Sequence, residues 1–226
     1  MTSLFALIGY GLRGVTRAGA LAGFALAFAL YACAGLRAFL ALVALFLVTL
    51  LVTRLGRQRK LALGTAERSS GRSASQVLAN VGVASLFAMS YGHFGKPPLL
   101  LACAAALAEA AADTVSSECG QAFGSPARLF STGAPVPAGA NGGVSWAGSA
   151  CGALAAVGMG LVAVWTGLVA PPLAWTVALS ALCGMFFDSL LGALLERPGS
   201  LNNNGVNLLG TLFAAVLALS LAGWGQ

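Results

Sequence analysis

Charge is the scarcest commodity in this chain. Of 226 residues, 8% are charged, with twelve Lys or Arg, six Asp or Glu and a single His. A soluble domain carries about a quarter charged residues, so the composition excludes one. Histidine and cysteine are too sparse and too scattered for zinc: the five cysteines (Cys33, Cys103, Cys119, Cys151, Cys183) are odd in number and have no CxxC spacing. They imply no disulfide framework either. Cysteine catalysis is rejected because Cys119, the one thiol near other polar groups, would need a basic partner, and the only His, His93, is expected on the opposite side. Neither a Walker GxxxxGK[ST] string nor a kinase DFG set occurs, which excludes a soluble-type nucleotide fold. Strict apolar/polar alternation is also missing, which argues against a membrane β-barrel.

What remains is hydrophobic. Apolar residues make up 58% of the chain and the mean hydropathy is +0.88. Runs at 18–35, 38–52, 77–89, 99–112, 144–169, 173–187 and 206–221 are mostly Ala, Leu and Val. With modest extension, these can cross a hydrocarbon core of about 30 Å. The expected fold is all-α, a single integral membrane domain over residues 1–226 with about seven transmembrane helices. The segment 4–12 is too short for an ordinary span, and is expected to be a short, re-entrant or interfacial helix.

Basic residues set the orientation. Arg54, Arg57, Arg59, Lys60, Arg68 and Arg72 fall within or beside one loop, 54–75, which the positive-inside rule assigns to the cytoplasm. Alternation then puts Arg13, Arg17, Arg128 and Arg197 inside, and Arg37 and Lys96 outside as exceptions. The basic run is read first as a topology signal that touches anionic headgroups. Direct contact with a substrate phosphate is the alternative, favoured only at Arg72. No nucleic-acid partner is expected.

The string Asn-x-Gly-Val occurs three times, at Asn80–Val83, Asn141–Val144 and Asn203–Val206, with offsets of 61 and 62 residues. Each lies where a polar segment gives way to an apolar one. An internally repeated fold with three Asn-capped helix starts is the expectation, and helix N-termini attract phosphate.

The acidic residues are the most specific feature. Glu109, Asp113, Glu118, Asp188 and Glu196 sit at the expected cytoplasmic ends of two segments. Glu109 and Asp113 are four apart and share a helix face. Carboxylates brought together at this depth repel unless a cation intervenes, and oxygen ligands without His or Cys suit magnesium. Asp113, Asp188, Glu109 and Glu118 are therefore candidate metal ligands. The alternative is pairing with Arg72, Arg128 or Arg197.

The Gly/Pro-rich segment 120–142 joins an Asp-Thr helix end to an Asn-Gly-Gly start. Backbone amides near Gly142 and Gly143, with Arg128, form a candidate polyphosphate cradle. Arg72, Gln76 and Asn80, spaced four apart, line one helical stripe. Asn202, Asn203, Asn204 and Asn207 form a second amide cluster.

The strings AADTVSSECG, PARLFSTGAPVPAGANGGVSWAG, FFDSLLGA and LNNNGVNLLGTLFAA, in this order, resemble the integral membrane family known as domain of unknown function ninety-two. That family includes the plant phytyl-phosphate kinase of the vitamin E pathway. More distantly, the Asp-Thr end, Gly-rich loop and Gly-Gly start resemble polyprenol kinases and CDP-diacylglycerol synthases, which use CTP. Val115 and Cys119 depart from the family pattern. The resemblance implies a kinase that transfers a phosphoryl group from a nucleoside triphosphate, CTP or another, to an isoprenyl or phytyl monophosphate. Its expected home is a bacterial inner membrane, with the site facing the cytoplasm. On this reading Asp113 and Asp188, assisted by Glu118 and Glu109, bind Mg2+. Arg128, Asn141, Gly142, Gly143 and Ser145 hold the donor. Arg72, Gln76, Asn80, Asn203, Asn204 and Asn207 hold the acceptor phosphate or the second side of the donor, and the tail lies between helices. A cytidylyltransferase that makes a CDP-lipid, and a small transporter, stand as alternatives. Sequence leaves the oligomeric state open.

Overall fold

A computed structural model of the protein describes residues 1–67 and 69–223. Arg68, counted above in the basic loop, lies outside them. The described residues form α1 (Thr2–Gly11), α2 (Arg17–Arg54), α3 (Arg57–Leu63), α4 (Ala74–Phe94), α5 (Pro98–Phe123), strands β1 (Ala127–Leu129), β2 (Pro135–Val136) and β3 (Gly143–Val144), then α6 (Trp146–Trp165), α7 (Ala174–Leu191) and α8 (Asn203–Leu221). A 3-10 turn, Pro171–Leu173, precedes α7, and a π-helical turn, Gly192–Glu196, comes after it.

Among the described residues, six helices are long and apolar enough to cross a membrane. The first of them is two passes. α2 is nominally 38 residues long, but Gly35 breaks it with φ 77° and ψ −168°. In one straight helix, Gly19 and Thr53 would stand about 51 Å apart at 1.5 Å per residue, yet they line the same cavity. The Tyr31 and Phe39 rings, about 12 Å apart on a straight helix, are centred 6.1 Å from each other. The arms 17–34 and 36–54 therefore form an antiparallel hairpin turned at glycine, the residue that reaches positive φ without strain. Seven passes result, with α1 as the short additional helix.

α5 is the axis. It packs against α2, α4, α6, α7 and α8, and its Ala-rich run from Leu101 to Ala112 is almost entirely buried. Without a hydrophobic driving force between helices in lipid, small side chains allow the close approach that dispersion requires. The outer helices turn Leu21, Leu154 and Leu161 outward. Trp146 and Trp165 cap the two ends of α6, both exposed, about 28 Å apart. That spacing matches a hydrocarbon core with an aromatic belt at each surface.

Two expectations need correction. The three Asn-x-Gly-Val strings are not three helix starts. The true N-caps are Ser73, whose hydroxyl accepts from Gln76 N while Gln76 Oε1 accepts from Ser73 N, then Ser145 and Asn202. Asn80 lies inside α4, Asn141 lies in a turn before β3, and Asn203 is the first residue of α8. One tetrapeptide thus adopts three conformations, and the offsets of 61 and 62 residues mark no common structural unit. The second correction concerns the Gly/Pro segment. α5 runs on through Gly120 to Phe123, and the chain beyond it folds into a small antiparallel ribbon of order β2-β1-β3.

All three long polar connections gather at one end of the bundle. The α2–α3 turn packs on α5 at Gly56 and Ala122, and Gly142 of the ribbon lies against Ala193. Cysteines placed singly at Arg59, Ser131 and Ser200, in a background lacking the five native thiols, should all react with an impermeant maleimide from the same side. One position reacting from the opposite side would break this arrangement.

Candidate functional site

Two cavities lie at the polar end of the bundle. The first, about 330 Å³, is lined by Asp113, Ser116, Ser117 and Gly120 of α5, Asn141, Gly142 and Gly143 of the ribbon, Ser145 capping α6, Asp188 and Ser189 of α7, Gly192 and Glu196 of the π turn, and Asn203. Its charged lining residues are three carboxylates, with no Lys or Arg among the described lining. The second, about 430 Å³, lies between α1, the two arms of α2 and α4, and carries Arg13, Arg54, Arg57, Glu67, Arg72, Gln76 and Asn80 among otherwise mostly apolar walls.

The acidic cavity is shaped by backbone contact. Gly142 has φ 72°, and a Cβ there would fall on the backbone and side chain of Ala193. A Cβ on Gly192 would meet Gly142 N at 2.8 Å. The ribbon tip therefore docks glycine to glycine on the π turn, an element that recurs at functional sites. Beneath the cavity, Glu109 is 1% exposed, and its Oε1 has no hydrogen-bond partner. The same holds for Asp188 Oδ2. A Cβ on Gly210 of α8 would lie 2.6 Å from the first oxygen and 3.4 Å from the second. Two orphaned carboxylate oxygens, from α5 and α7, thus converge on a notch in α8. Such atoms cost free energy unless something pairs with them.

Among the described residues, no three His, Cys, Asp or Glu side chains gather closely enough to cage a metal. Magnesium does not need such a cage, since it binds through one or two carboxylates and completes its shell with water and substrate phosphates. The two aspartates of the cation-free lining fit that mode.

The basic cavity is held by a strap. Gly14 O accepts from Arg72 N (3.0 Å) and Arg72 O accepts from Thr16 N (2.9 Å), a parallel bridge between Val15 and Arg72. The strap fixes the Arg72 backbone, and its guanidinium reaches Thr114 Oγ1 at 3.5 Å. Gln76 Nε2 donates to Glu67 (3.0 Å). Asn80 Nδ2 donates to Gln76 O (2.8 Å) and its Oδ1 accepts from Asn207 (3.4 Å), tying α4 to α8. On a helix, consecutive residues point about 100° apart. Asp113 accordingly lines the acidic cavity, while Thr114 on an adjoining face of α5 meets Arg72, a lining residue of the basic one.

Several expected site residues stand elsewhere. Glu118 does not line the acidic cavity: its Oε2 accepts from Lys60 Nζ at 2.5 Å, and Lys60, 1% exposed, also donates to Val52 O and Thr53 O at the end of α2. Arg128 lies on β1, where Ala127 and Leu129 are buried and Arg128 is exposed; its guanidinium donates to Gly133 O. Strand alternation turns it away from the cavity that Ala127 lines. Asn204 and Asn207 lie outside the lining set, while Asn203 belongs to it. Gly143 N and Ser145 Oγ are engaged within the protein, with Ala140 O and Gly148 N. Thr65, and Glu196, noted among the acids but not as a site residue, line the cavity. Lys60 was hidden as one basic residue among several.

Lys60 supplies a stability prediction. Removing one partner of a buried ion pair leaves the other charge uncompensated, a loss of about 3–5 kcal/mol. Lys60→Met should lower the unfolding temperature in detergent sharply, and adding Glu118→Gln should recover part of the loss. No recovery in the double variant would place the effect in the α2 cap instead.

Comparisons with known proteins agree on the family and stop short of a reaction. The model of the family described as integral membrane protein DUF92 matches residues 1–215. An uncharacterized membrane protein of Synechocystis is 32% identical, over 87% of this chain and 78% of its own length. One of Methanocaldococcus jannaschii is 34% identical, over 84% and 78%. Protein VTE6, chloroplastic, of Arabidopsis thaliana is 26% identical, over 91% of this chain and 65% of its own length. No solved structure matches.

Proposed function

The chain belongs to the DUF92 family of integral membrane proteins, and from that premise we propose that it is a membrane kinase of isoprenyl-type lipid monophosphates, with a nucleoside triphosphate, CTP in the first instance, as donor. The observation that carries this reading is the pair of cavities of opposite chemistry, linked through α5 by Asp113 in one and by the contact of Thr114 with Arg72 of the other. An acidic, cation-free cavity takes a nucleotide in its magnesium form. A cavity with arginines at one end and apolar walls takes a lipid phosphate.

The donor would sit against Asn141, Gly142 and Asn203, with Asp113 and Asp188, which line the cavity, available to hold Mg2+; Glu109 lies beneath it. When bound, that ion neutralises the charge of the donor phosphates. Arg72 orients the acceptor phosphate beside Thr114, and its backbone strap limits how far it can move. An ionised lipid phosphate is already a nucleophile, so positioning and charge neutralisation suffice and no strong base is required. By the positive-inside rule the site faces the cytoplasm, in bacteria across the inner membrane.

Purified protein given geranylgeranyl monophosphate and Mg2+ should move label from γ-labelled CTP to the lipid, and none from α-labelled CTP. Transfer of the α label would make it a cytidylyltransferase. Transfer of neither label, with ATP also inactive, would end the kinase reading.

A further inference from the structure

We propose that the cavity between α1, α2 and α4 is the tail site of the acceptor, built for one isoprenoid chain and closed at its far end by an aromatic wall that limits chain length. The inference rests on the kinase reading and specifies where its lipid substrate lies. The cavity has a direction. Its mouth is marked by Arg54, whose guanidinium donates to Leu12 O (2.9 Å), and by Arg72. From there the lining runs along the second arm of α2 to Leu42, twelve residues or about 18 Å away. One leaflet of the hydrocarbon core is about 15 Å deep. A pocket with its charge at the interface and apolar walls for one leaflet's depth has the profile of a single-leaflet lipid, and the arginines at its mouth complement a phosphate. Its volume, about 430 Å³, lies in the range of one small-molecule ligand, about 300–1,000 Å³.

The far end is closed by rings. Phe5 of α1 packs edge-on against Phe39 at 5.5 Å and Phe46 at 5.2 Å. α1, too short to span the bilayer, therefore runs along this pocket, from the mouth near Leu12 to Phe5 at the closed end. Partway along, Gly23 faces open space: a Cβ there would meet only Val77 Cγ1, at 4.0 Å. A larger side chain at that position can project into the pocket without disturbing the backbone.

The test uses the full-length protein in nanodiscs, with geranyl and geranylgeranyl monophosphate as competing acceptors. Gly23→Leu should lower the long-to-short rate ratio by about tenfold or more, the discrimination expected from a filled apolar pocket. Phe5→Ala should shift the ratio the other way. A diazirine-tipped geranylgeranyl monophosphate should photolabel the 36–54 arm, and Gly23→Leu should suppress that labelling. An unchanged rate ratio and unchanged labelling in Gly23→Leu would overturn the tail site. Dioleoyl phosphatidic acid competing as well as the prenyl phosphate would overturn its restriction to one chain. If the wild-type protein transfers phosphate from no nucleotide, the kinase reading fails by itself. Labelling then decides separately: suppression by Gly23→Leu retains the lipid site, and labelling outside the 36–54 arm removes it.

Discussion

Asp188→Asn should lower turnover by about 10²-fold or more, the usual effect of removing one preorganised electrostatic element at a reacting phosphate, without lowering thermal stability. The two effects separate because the carboxylate oxygen Oδ2 has no partner within the fold. It is buried without a hydrogen bond, and Glu109 Oε1 lies on the same notch. Replacing one negative group with a neutral isostere relieves repulsion in the metal-free protein, so the unfolding temperature should hold or rise. Magnesium should stabilise the wild-type protein by mass action and stabilise the variant less. Asp113→Asn should follow the same pattern in turnover. For that residue Arg72 is a nearby compensating cation, so its unfolding temperature should rise less. A variant that keeps magnesium-dependent turnover but melts earlier would return its aspartate to a structural role.

Gly142→Ala should produce the second large effect. Two costs fall on one methyl group: the left-handed conformation at φ 72°, about 1–2 kcal/mol for a residue with a Cβ, and collision with the backbone of Ala193. The ribbon tip cannot then dock on the π turn. Turnover should fall by about tenfold or more, and limited proteolysis should cut between residues 124 and 145 faster than in the wild type. Gly133→Ala is the matched control, with φ 71° and nothing within 4 Å of its Cβ. If both variants lose turnover equally, backbone strain accounts for the loss and docking contributes nothing.

The helices were readable because lipid leaves the backbone few options, so composition and run length mark the passes. Even the hairpin at Gly35 was visible, as a gap between two apolar runs. Local capping was harder to read. Asn80, Asn141 and Asn203 each carry the amide that a cap needs, yet Ser73, Ser145 and Asn202 occupy those positions, and Asn80 is spent joining α4 to α8. Arg128 was misjudged because a Gly/Pro-rich segment gives no period from which to tell a strand's two faces. The acids were found because a buried carboxylate is expensive wherever it lies in a membrane protein. Of the basic cavity, only the stripe of Arg72, Gln76 and Asn80 was legible. Its walls are Gly, Ala, Leu and Phe contributed by helices far apart in sequence, and only packing creates it.

The carboxylate notch also bears on how the chain is made. α5 brings Glu109 and Asp113 into the bilayer before α7 and α8 have been synthesised. A carboxylate at the centre of an inserting helix costs about 2.5–3.5 kcal/mol, and at about 5–20 residues per second the ribosome takes roughly 4–15 s to travel from Asp113 to Asp188. During that interval Arg72, already inserted at the start of α4, is the compensating cation at hand. Gly210, which completes the notch, arrives last. Chains that end before α8 carry a half-built acidic junction open to lipid, which gives membrane quality control a physical mark by which to tell them from finished protein.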